Sequence, residues 1–152
     1  MGEKVFQGAT QINLDAKGRM SVPTKARDPL TQGGTVKLVL TAHPEGCLLL
    51  YPQPAWEPIR AKVMAFPSLD HAANLWKRLL VGHAEDVEPD GAGRLLISPV
   101  LRNYAHITRQ VMFVGQGSHF ELWSMEAWRT QLEQAMGGGD MQLPAELEGF
   151  SL

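Results

Sequence analysis

The residues best suited to chemistry in this sequence are Lys17 and Arg19, which stand two and four positions after Asp15. An arginine offers a planar fork of N–H donors that matches guanine O6 and N7 or a phosphate, whereas a lysine offers a point charge. Two interpretations of Arg19 stay open: a contact to nucleic acid, or an ion pair with Asp15 that braces a local turn. Asp15 itself is interpreted as structural, because a carboxylate repels phosphate.

A second copy of this pattern begins 75 positions later (90 − 15), at Asp90. Both copies consist of Asp-x-x-Gly-Arg followed by an apolar run that ends at a proline. The second copy has no lysine, and Arg94 has four carboxylates near it in sequence: Glu85, Asp86, Glu88 and Asp90. Such a surround would repel a phosphate backbone, so Arg94 is predicted to have a structural or subunit-facing role.

An aspartate followed three residues later by a glycine is typical of a tight turn. The carboxylate caps the turn, and Gly18 or Gly93 takes a positive φ cheaply. Because an arginine and an apolar run follow, the pattern predicts a β-hairpin with the arginine at its mouth. We therefore assign a structural role to the motif residues Asp15, Gly18, Asp90, Gly93 and Arg94.

Two further cations follow the first motif in a predicted short helix, Lys25 and Arg27. Their place, a few residues after Arg19, would let them flank a nucleic-acid site. Solvation on the helix surface is the alternative, and the sequence leaves both open.

The duplication extends beyond the motif. At an offset of 75, Ile12 aligns with Val87, and the segment 36–39 aligns with 111–114; at an offset of 72, Ala55-Trp56 aligns with Ala127-Trp128. We interpret this as two tandem units, over 1–80 and 81–136, followed by a flexible acidic tail over 137–152. A lone four-stranded unit of this size would leave exposed edges, so the two units are predicted to share one pseudo-twofold β-barrel.

The predicted fold class is α+β, mainly β, with short peripheral helices. Pro29 is expected to end the first helix, and Ser68 to cap the third. The predicted strands cover 5–14, 19–22, 35–41, 47–51, 84–89, 94–97, 110–114 and 119–123. The predicted helices cover 24–28, 54–65, 68–80, 99–104 and 125–136.

Composition is that of an ordinary globular protein, with 44% hydrophobic and 20% charged residues in 152. No apolar run approaches the roughly 20 residues of a membrane helix, the N-terminal residues do not have the pattern of a signal peptide, and one cysteine allows no internal disulfide. The cytoplasm is the expected compartment. The net charge of −2 divides into −5 over residues 121–152 and +3 over the rest, which neither requires nor excludes DNA.

Enzyme signatures are weak. The five histidines lack metal-ligand spacing, Gly115-x-Gly117 is too short a signal for a nucleotide loop, and no serine has a nucleophile elbow. We therefore predict no catalytic residues, no metal, no cofactor and no small-molecule substrate. An enzyme using Asp15 and Arg19 as an acid–anion pair is kept as the weakest hypothesis.

The doubled motif resembles the MraZ family of bacterial transcriptional regulators. The resemblance covers about residues 6–128 and includes Asp15-x-Lys17-Gly18-Arg19 and Asp90-x-x-Gly93-Arg94. It implies a barrel of two AbrB-like swapped-hairpin repeats, a ring-like homo-oligomer, and a nucleoid-associated protein. It also implies binding to short G-rich direct repeats in the promoter of the division and cell-wall gene cluster. The resemblance favours Lys17 and Arg19 as the DNA contacts, with Lys25 and Arg27 as candidate flanking residues.

The competing hypothesis is a ring-forming interaction module without DNA binding. Pure assembly would not need a basic loop in one copy only, so the lysine of the first loop favours the DNA-binding hypothesis.

Overall fold

The computed structural model describes residues 5–137 and 143–151, which form an α+β protein built mainly from short antiparallel strands. The strands are β1 (Ala9–Asn13), β2 (Arg19–Ser21), β3 (Leu38–Ala42), β4 (Leu48–Pro52), β5 (Glu85–Val87), β6 (Arg94–Leu96), β7 (Gln110–Gly115) and β8 (Phe120–Ser124). The helices are α1 (Thr24–Thr31), α2 (Gln53–Met64), α3 (His71–Trp76, continued by a π-helical turn at Lys77–Val81), α4 (Pro99–Ala105) and α5 (Met125–Met136).

The strands of the two sequence repeats interleave. A six-stranded sheet has the order β1-β7-β8-β4-β3-β5, and β2 pairs with β6 in a separate two-stranded sheet. The pairs β1–β7, β3–β5 and β2–β6 each join one repeat to the other. The predicted hairpins β3–β4 and β7–β8 are confirmed. The hairpins predicted at Asp15 and Asp90 are wrong. Both turns form, but β1 and β2 belong to different sheets, and so do β5 and β6.

One alignment made from the sequence needs correction. The hairpin registers place Leu38 opposite Pro52 and Val111 opposite Ser124, so β3 and β7 are equivalent at an offset of 73 (111 − 38) rather than 75. The error is two residues, and strand side chains alternate with a period of two. The apolar face therefore matched equally well in either register, and the pattern alone could not detect the shift.

The two sheets pack on one hydrophobic core. Met20 and Leu95, from the two-stranded sheet, are buried with Leu40 and Phe113 from the six-stranded sheet. Leu30 of α1 and Leu101 of α4 close the same cluster. Each fully buried side chain of this size stabilises the fold by about 1.5–3 kcal/mol. The core therefore holds β2 and β6, and the loops that precede them, in a fixed position.

Two helix boundaries differ from the expectation. Pro29 lies inside α1, because losing one backbone hydrogen bond is offset by burying Ala26 and Leu30 on the core side of the helix. Asp70, not Ser68, caps α3, and its side chain accepts a hydrogen bond from the Ala73 N–H at 3.2 Å.

The segment predicted as a tail lies partly outside the described residues. Its described part, 143–151, contains a 3₁₀ turn at Ala145–Leu147 and is exposed. Across 5–137 and 143–151, every helix is too short or too polar to cross a membrane.

Candidate nucleic-acid interface

The two Asp-x-x-Gly-Arg loops lie side by side. Pairing of β2 with β6 places Ser21 opposite Arg94 and Arg19 opposite Leu96. Reciprocal backbone hydrogen bonds extend the contact: the Val22 N–H donates to Gly93 O at 2.9 Å, and the Ile97 N–H donates to Gly18 O at 3.0 Å. What the sequence presents as two sites 75 residues apart is one composite surface.

The first loop, Asp15 to Arg19, is closed around its carboxylate. Asp15 Oδ1 accepts hydrogen bonds from the backbone N–H groups of Lys17 and Arg19, both at 2.9 Å. Asp15 Oδ2 accepts from Arg19 Nε at 2.7 Å. The Gly18 N–H also donates to Asp15 O, and Gly18 takes the positive φ that this turn requires.

The second loop, Asp90 to Arg94, repeats this geometry. Asp90 Oδ1 accepts from the N–H groups of Ala92 and Arg94, and Asp90 Oδ2 accepts from Arg94 Nε at 3.0 Å. Because the two turns have the same shape, shape cannot distinguish their functions. The difference is chemical: the position of exposed Lys17 is taken by Ala92 in the second loop.

The loops also interact through charge. Arg19 Nη1 is 4.0 Å from Asp90 Oδ2, and Arg94 Nη1 is 4.0 Å from Asp15 Oδ2. The four side chains are each about one-third exposed, so these ion pairs contribute little to the stability of the fold. Their main effect is to fix the orientation of the two arginine side chains. Together the two arginines and two aspartates carry no net charge, and Lys17 makes the combined loops positive.

The expected crowding of four carboxylates around Arg94 is not what the structure shows. Of the four, only Asp90 lies within ion-pairing distance, and the second partner of Arg94 is Asp15 from the other repeat. Glu85 instead accepts a hydrogen bond from Ser98 Oγ at 2.6 Å. Strand exchange between the repeats brings Asp15 close, which local sequence could not indicate.

Arg27 and Arg102 support the loops from behind. The guanidinium of Arg27 packs on Gly93, and its Nε donates to Val22 O at 3.1 Å. The guanidinium of Arg102 packs on Gly18 in the same way, and its Nε donates to Ile97 O at 2.9 Å. Each arginine therefore supports the loop of the other repeat. Arg102 was missed as a site residue, although the 75-residue offset pairs it with Arg27.

The remaining predicted cations differ in position. Lys17 is exposed on the first loop, and its ammonium makes no ion pair with any described residue. Lys25 is exposed on α1 and lines a groove with Phe6, Gln7 and Phe120, whose lining includes neither loop. The structure thus brings Lys17 and Arg19 together with the motif residues and leaves Lys25 at their periphery.

The hydrogen bonds to Asp15 keep its carboxylate ionised. The Arg19 backbone N–H is the main cause that lowers the pKa of Asp15 to about 2, with further contributions from the Arg19 side chain and the Lys17 N–H. The Arg94 N–H likewise lowers the pKa of Asp90. At neutral pH both carboxylates are charged and hold their arginines in place.

The ion pair with Asp15 uses only part of the hydrogen-bonding capacity of Arg19. A guanidinium has five N–H donors, and Asp15 takes only the one on Nε. The two Nη groups keep four donors at the partly exposed end of the side chain. An ion pair with Asp15 and a contact to nucleic acid are therefore compatible roles for Arg19. The ion pair orients the guanidinium, and its two Nη groups can still donate to an acceptor.

Groups suited to covalent or metal chemistry do not gather at the loops. The only cysteine, Cys47, is buried, and burial raises the pKa of its thiol. Within the described ranges, no three His, Cys, Asp or Glu side chains form a cluster that could hold a metal ion. The arrangement is that of a binding surface for hydrogen-bond acceptors and negative charge.

Comparison with known proteins gives consistent matches over almost all of the chain. The family model described as "MraZ protein, putative antitoxin-like" matches twice, over residues 5–79 and 80–142. A relative from Methylobacillus flagellatus, named transcriptional regulator MraZ, is 64% identical over 97% of this chain and all of its own length. Proteins of the same name from Nitrosomonas europaea and Azoarcus sp. are 47% and 49% identical over the same shares.

Proposed function

The chain belongs to the MraZ family, and from that premise we propose that it is a sequence-specific DNA-binding transcriptional regulator. The observation that carries the proposal is the first loop, where Asp15 orients Arg19 beside Lys17, whose ammonium is in no ion pair among the described residues. A pre-oriented arginine loses less conformational freedom on binding than a free one. The names of its relatives place them among regulators rather than enzymes, so no enzymatic activity is proposed.

In this proposal Arg19 contacts a base edge and Lys17 contacts phosphate. The Nη edge of an arginine fits guanine O6 and N7, which agrees with a G-rich target. Lys25 and Arg27 are proposed as flanking contributors. Lys25 would act as an exposed charge, whereas Arg27 would act chiefly by holding the second loop through Gly93.

The proposed target is the promoter of the division and cell-wall gene cluster, bound at short direct repeats in the cytoplasm at the nucleoid. Direct repeats suit a protein that presents the same loop several times, because linked contacts raise the overall affinity steeply.

The wild-type protein should bind DNA taken from upstream of its own gene more tightly than shuffled DNA of equal length and composition. Fluorescence anisotropy across a salt series measures this. We expect affinity to fall steeply with salt, because binding to phosphates releases counterions. Equal affinity for the two DNAs would refute sequence-specific recognition, and an absence of binding to either would favour the assembly module.

We also propose that the two sheets close into one swapped-hairpin barrel and that several copies assemble into a ring. The exchange of strands between repeats supports the barrel. Exposed apolar side chains on α2, on α3 and between them support assembly: Met64, Phe66, Leu69, Leu75 and Trp76. Monomeric globular proteins rarely leave such residues together in water.

Light scattering at micromolar concentration is expected to give a mass several times the 16.7 kDa of one chain. The exposed apolar side chains should lie between subunits. Leu69→Asp, at a fully exposed position, should reduce the mass because it would place a charge in that interface. A wild-type monomer would contradict the ring.

A further inference from the structure

Each loop is bordered by a groove, and the two grooves are structural equivalents. The first-loop groove lies between Asn13–Ala16 and Thr108–Gln110, with Arg102 at its base. The second-loop groove lies between Glu88–Gly91 and Thr35–Lys37, with Arg27 in the corresponding place. The offsets of 75 and 73 found for the strands relate the two sets, so the grooves can be compared position by position.

Their charges are opposite. The first-loop groove contains Arg102 and Arg109 against Asp15, an excess of one positive charge. The second-loop groove contains Arg27 and Lys37 against Asp28, Glu88 and Asp90, an excess of one negative charge. The first is also the larger, about 810 Å³ against about 400 Å³. Only the first combines space with a potential that attracts an anion.

Arg109 supplies the available charge. Its backbone oxygen accepts a hydrogen bond from the Leu14 N–H at 2.7 Å, which ties its position to the start of the first loop. Its side chain is exposed and is in no ion pair among the described residues. The equivalent position at an offset of 73 is Val36, so the second-loop groove lacks this cation.

Asn13 adds donors beside Arg109. Gln110 Nε2 donates to Asn13 Oδ1 at 3.2 Å, which engages the carbonyl oxygen and leaves the Asn13 N–H groups for an acceptor. The equivalent of Asn13 in the other repeat is Glu88, a carboxylate that would repel phosphate. At these two positions the first-loop groove is therefore more favourable to an anion than the second, whereas at a third position Gln110 of the first groove corresponds to Lys37 of the second.

We propose that the first-loop groove binds the sugar-phosphate backbone of the DNA strand next to the bases that Arg19 contacts, with Arg109 as a direct phosphate contact. This inference rests on the proposed function. Phosphate contacts position a protein on the duplex without specifying sequence. Phosphate contacts in the groove would therefore position the protein along the DNA so that the guanidinium of Arg19 lies opposite a guanine.

The test compares Arg109→Gln with Lys37→Gln, which each remove one exposed cation from one of the equivalent grooves. Anisotropy titrations across a salt series use upstream DNA and shuffled DNA. Arg109→Gln should weaken binding to both DNAs by a similar factor, and the slope of log affinity against log salt should fall by about 1 for each contact removed. Lys37→Gln should leave the slope of the wild type unchanged.

The outcomes separate this inference from the function on which it rests. If the wild type binds upstream DNA and Arg109→Gln keeps its salt slope, the groove is not a phosphate site although the protein is a DNA-binding regulator. Equal effects of the two variants would show a response to net charge alone, which also overturns the inference. If the wild type itself binds no DNA, the proposed function fails first.

Discussion

Gly18→Ala should destabilise the protein by about 2 kcal/mol or more, one of the two largest effects we expect. Gly18 has a φ of +82°, a conformation that costs a residue with a Cβ about 1–3 kcal/mol. A Cβ there would also lie 2.6 Å from Arg102 Cζ, so the guanidinium would have to shift from its position on the loop. Urea unfolding at a fixed protein concentration measures the loss.

Gly91→Ala is the matched control. Gly91 belongs to the second loop, has no positive φ, and has no atom within 4 Å of the position a Cβ would take. Its replacement should change the free energy of unfolding by less than about 0.5 kcal/mol. Equal stability of the Gly18→Ala and Gly91→Ala variants would show that neither the positive φ of Gly18 nor the packing of Arg102 on it constrains the loop.

The local chemistry of the loops could be predicted from the sequence, but their partners could not. Asp15 and Gly18 specify a tight turn through short-range hydrogen bonds and a positive φ, and the structure has that turn. The strand after the turn pairs with Arg94–Leu96 rather than with the preceding strand. The residues of the turn cannot indicate which strand β2 pairs with, since that depends on which strand edges the shared core brings together.

In the candidate site, too, the local features could be predicted from the sequence and the contacts between repeats could not. Lys17 and Arg19 were identified by residue type and spacing, and the structure places both at the loops. Arg102 was missed because its role depends on packing against Gly18 from the other repeat. The pairing of Arg94 with Asp15 was likewise hidden, since the two residues are 79 positions apart (94 − 15). The repeat offset was the one sequence signal that could have pointed to Arg102.

The second large effect concerns binding. Arg19→Ala should remove detectable binding to upstream DNA in a gel shift. A bidentate arginine–guanine contact is worth about 1–3 kcal/mol, or about 5- to 150-fold in affinity. That loss would multiply where several loops of one assembly engage successive repeats. The variant should fold, because Arg19 is partly exposed and its pair with Asp15 contributes little to stability.

Arg19→Lys separates geometry from charge. A lysine keeps the positive charge but has no fork to place on guanine O6 and N7. We expect it to retain binding to shuffled DNA and to lose the preference for upstream DNA. Recovery of full specificity by lysine would indicate that Arg19 contacts phosphate instead of a base.

The most direct test of the account compares Arg19→Ala with Arg94→Ala by gel shift on the same upstream DNA, after both variants are shown to fold and assemble. The two arginines make equivalent ion pairs in loops of the same shape, and only the first has a lysine beside it. We predict that Arg19→Ala abolishes detectable binding, because it removes the proposed base contact. Arg94→Ala should weaken binding only modestly, because it leaves Asp90 less compensated near Arg19. Equal loss of binding in both folded, assembled variants would contradict the assignment of DNA recognition to the first loop.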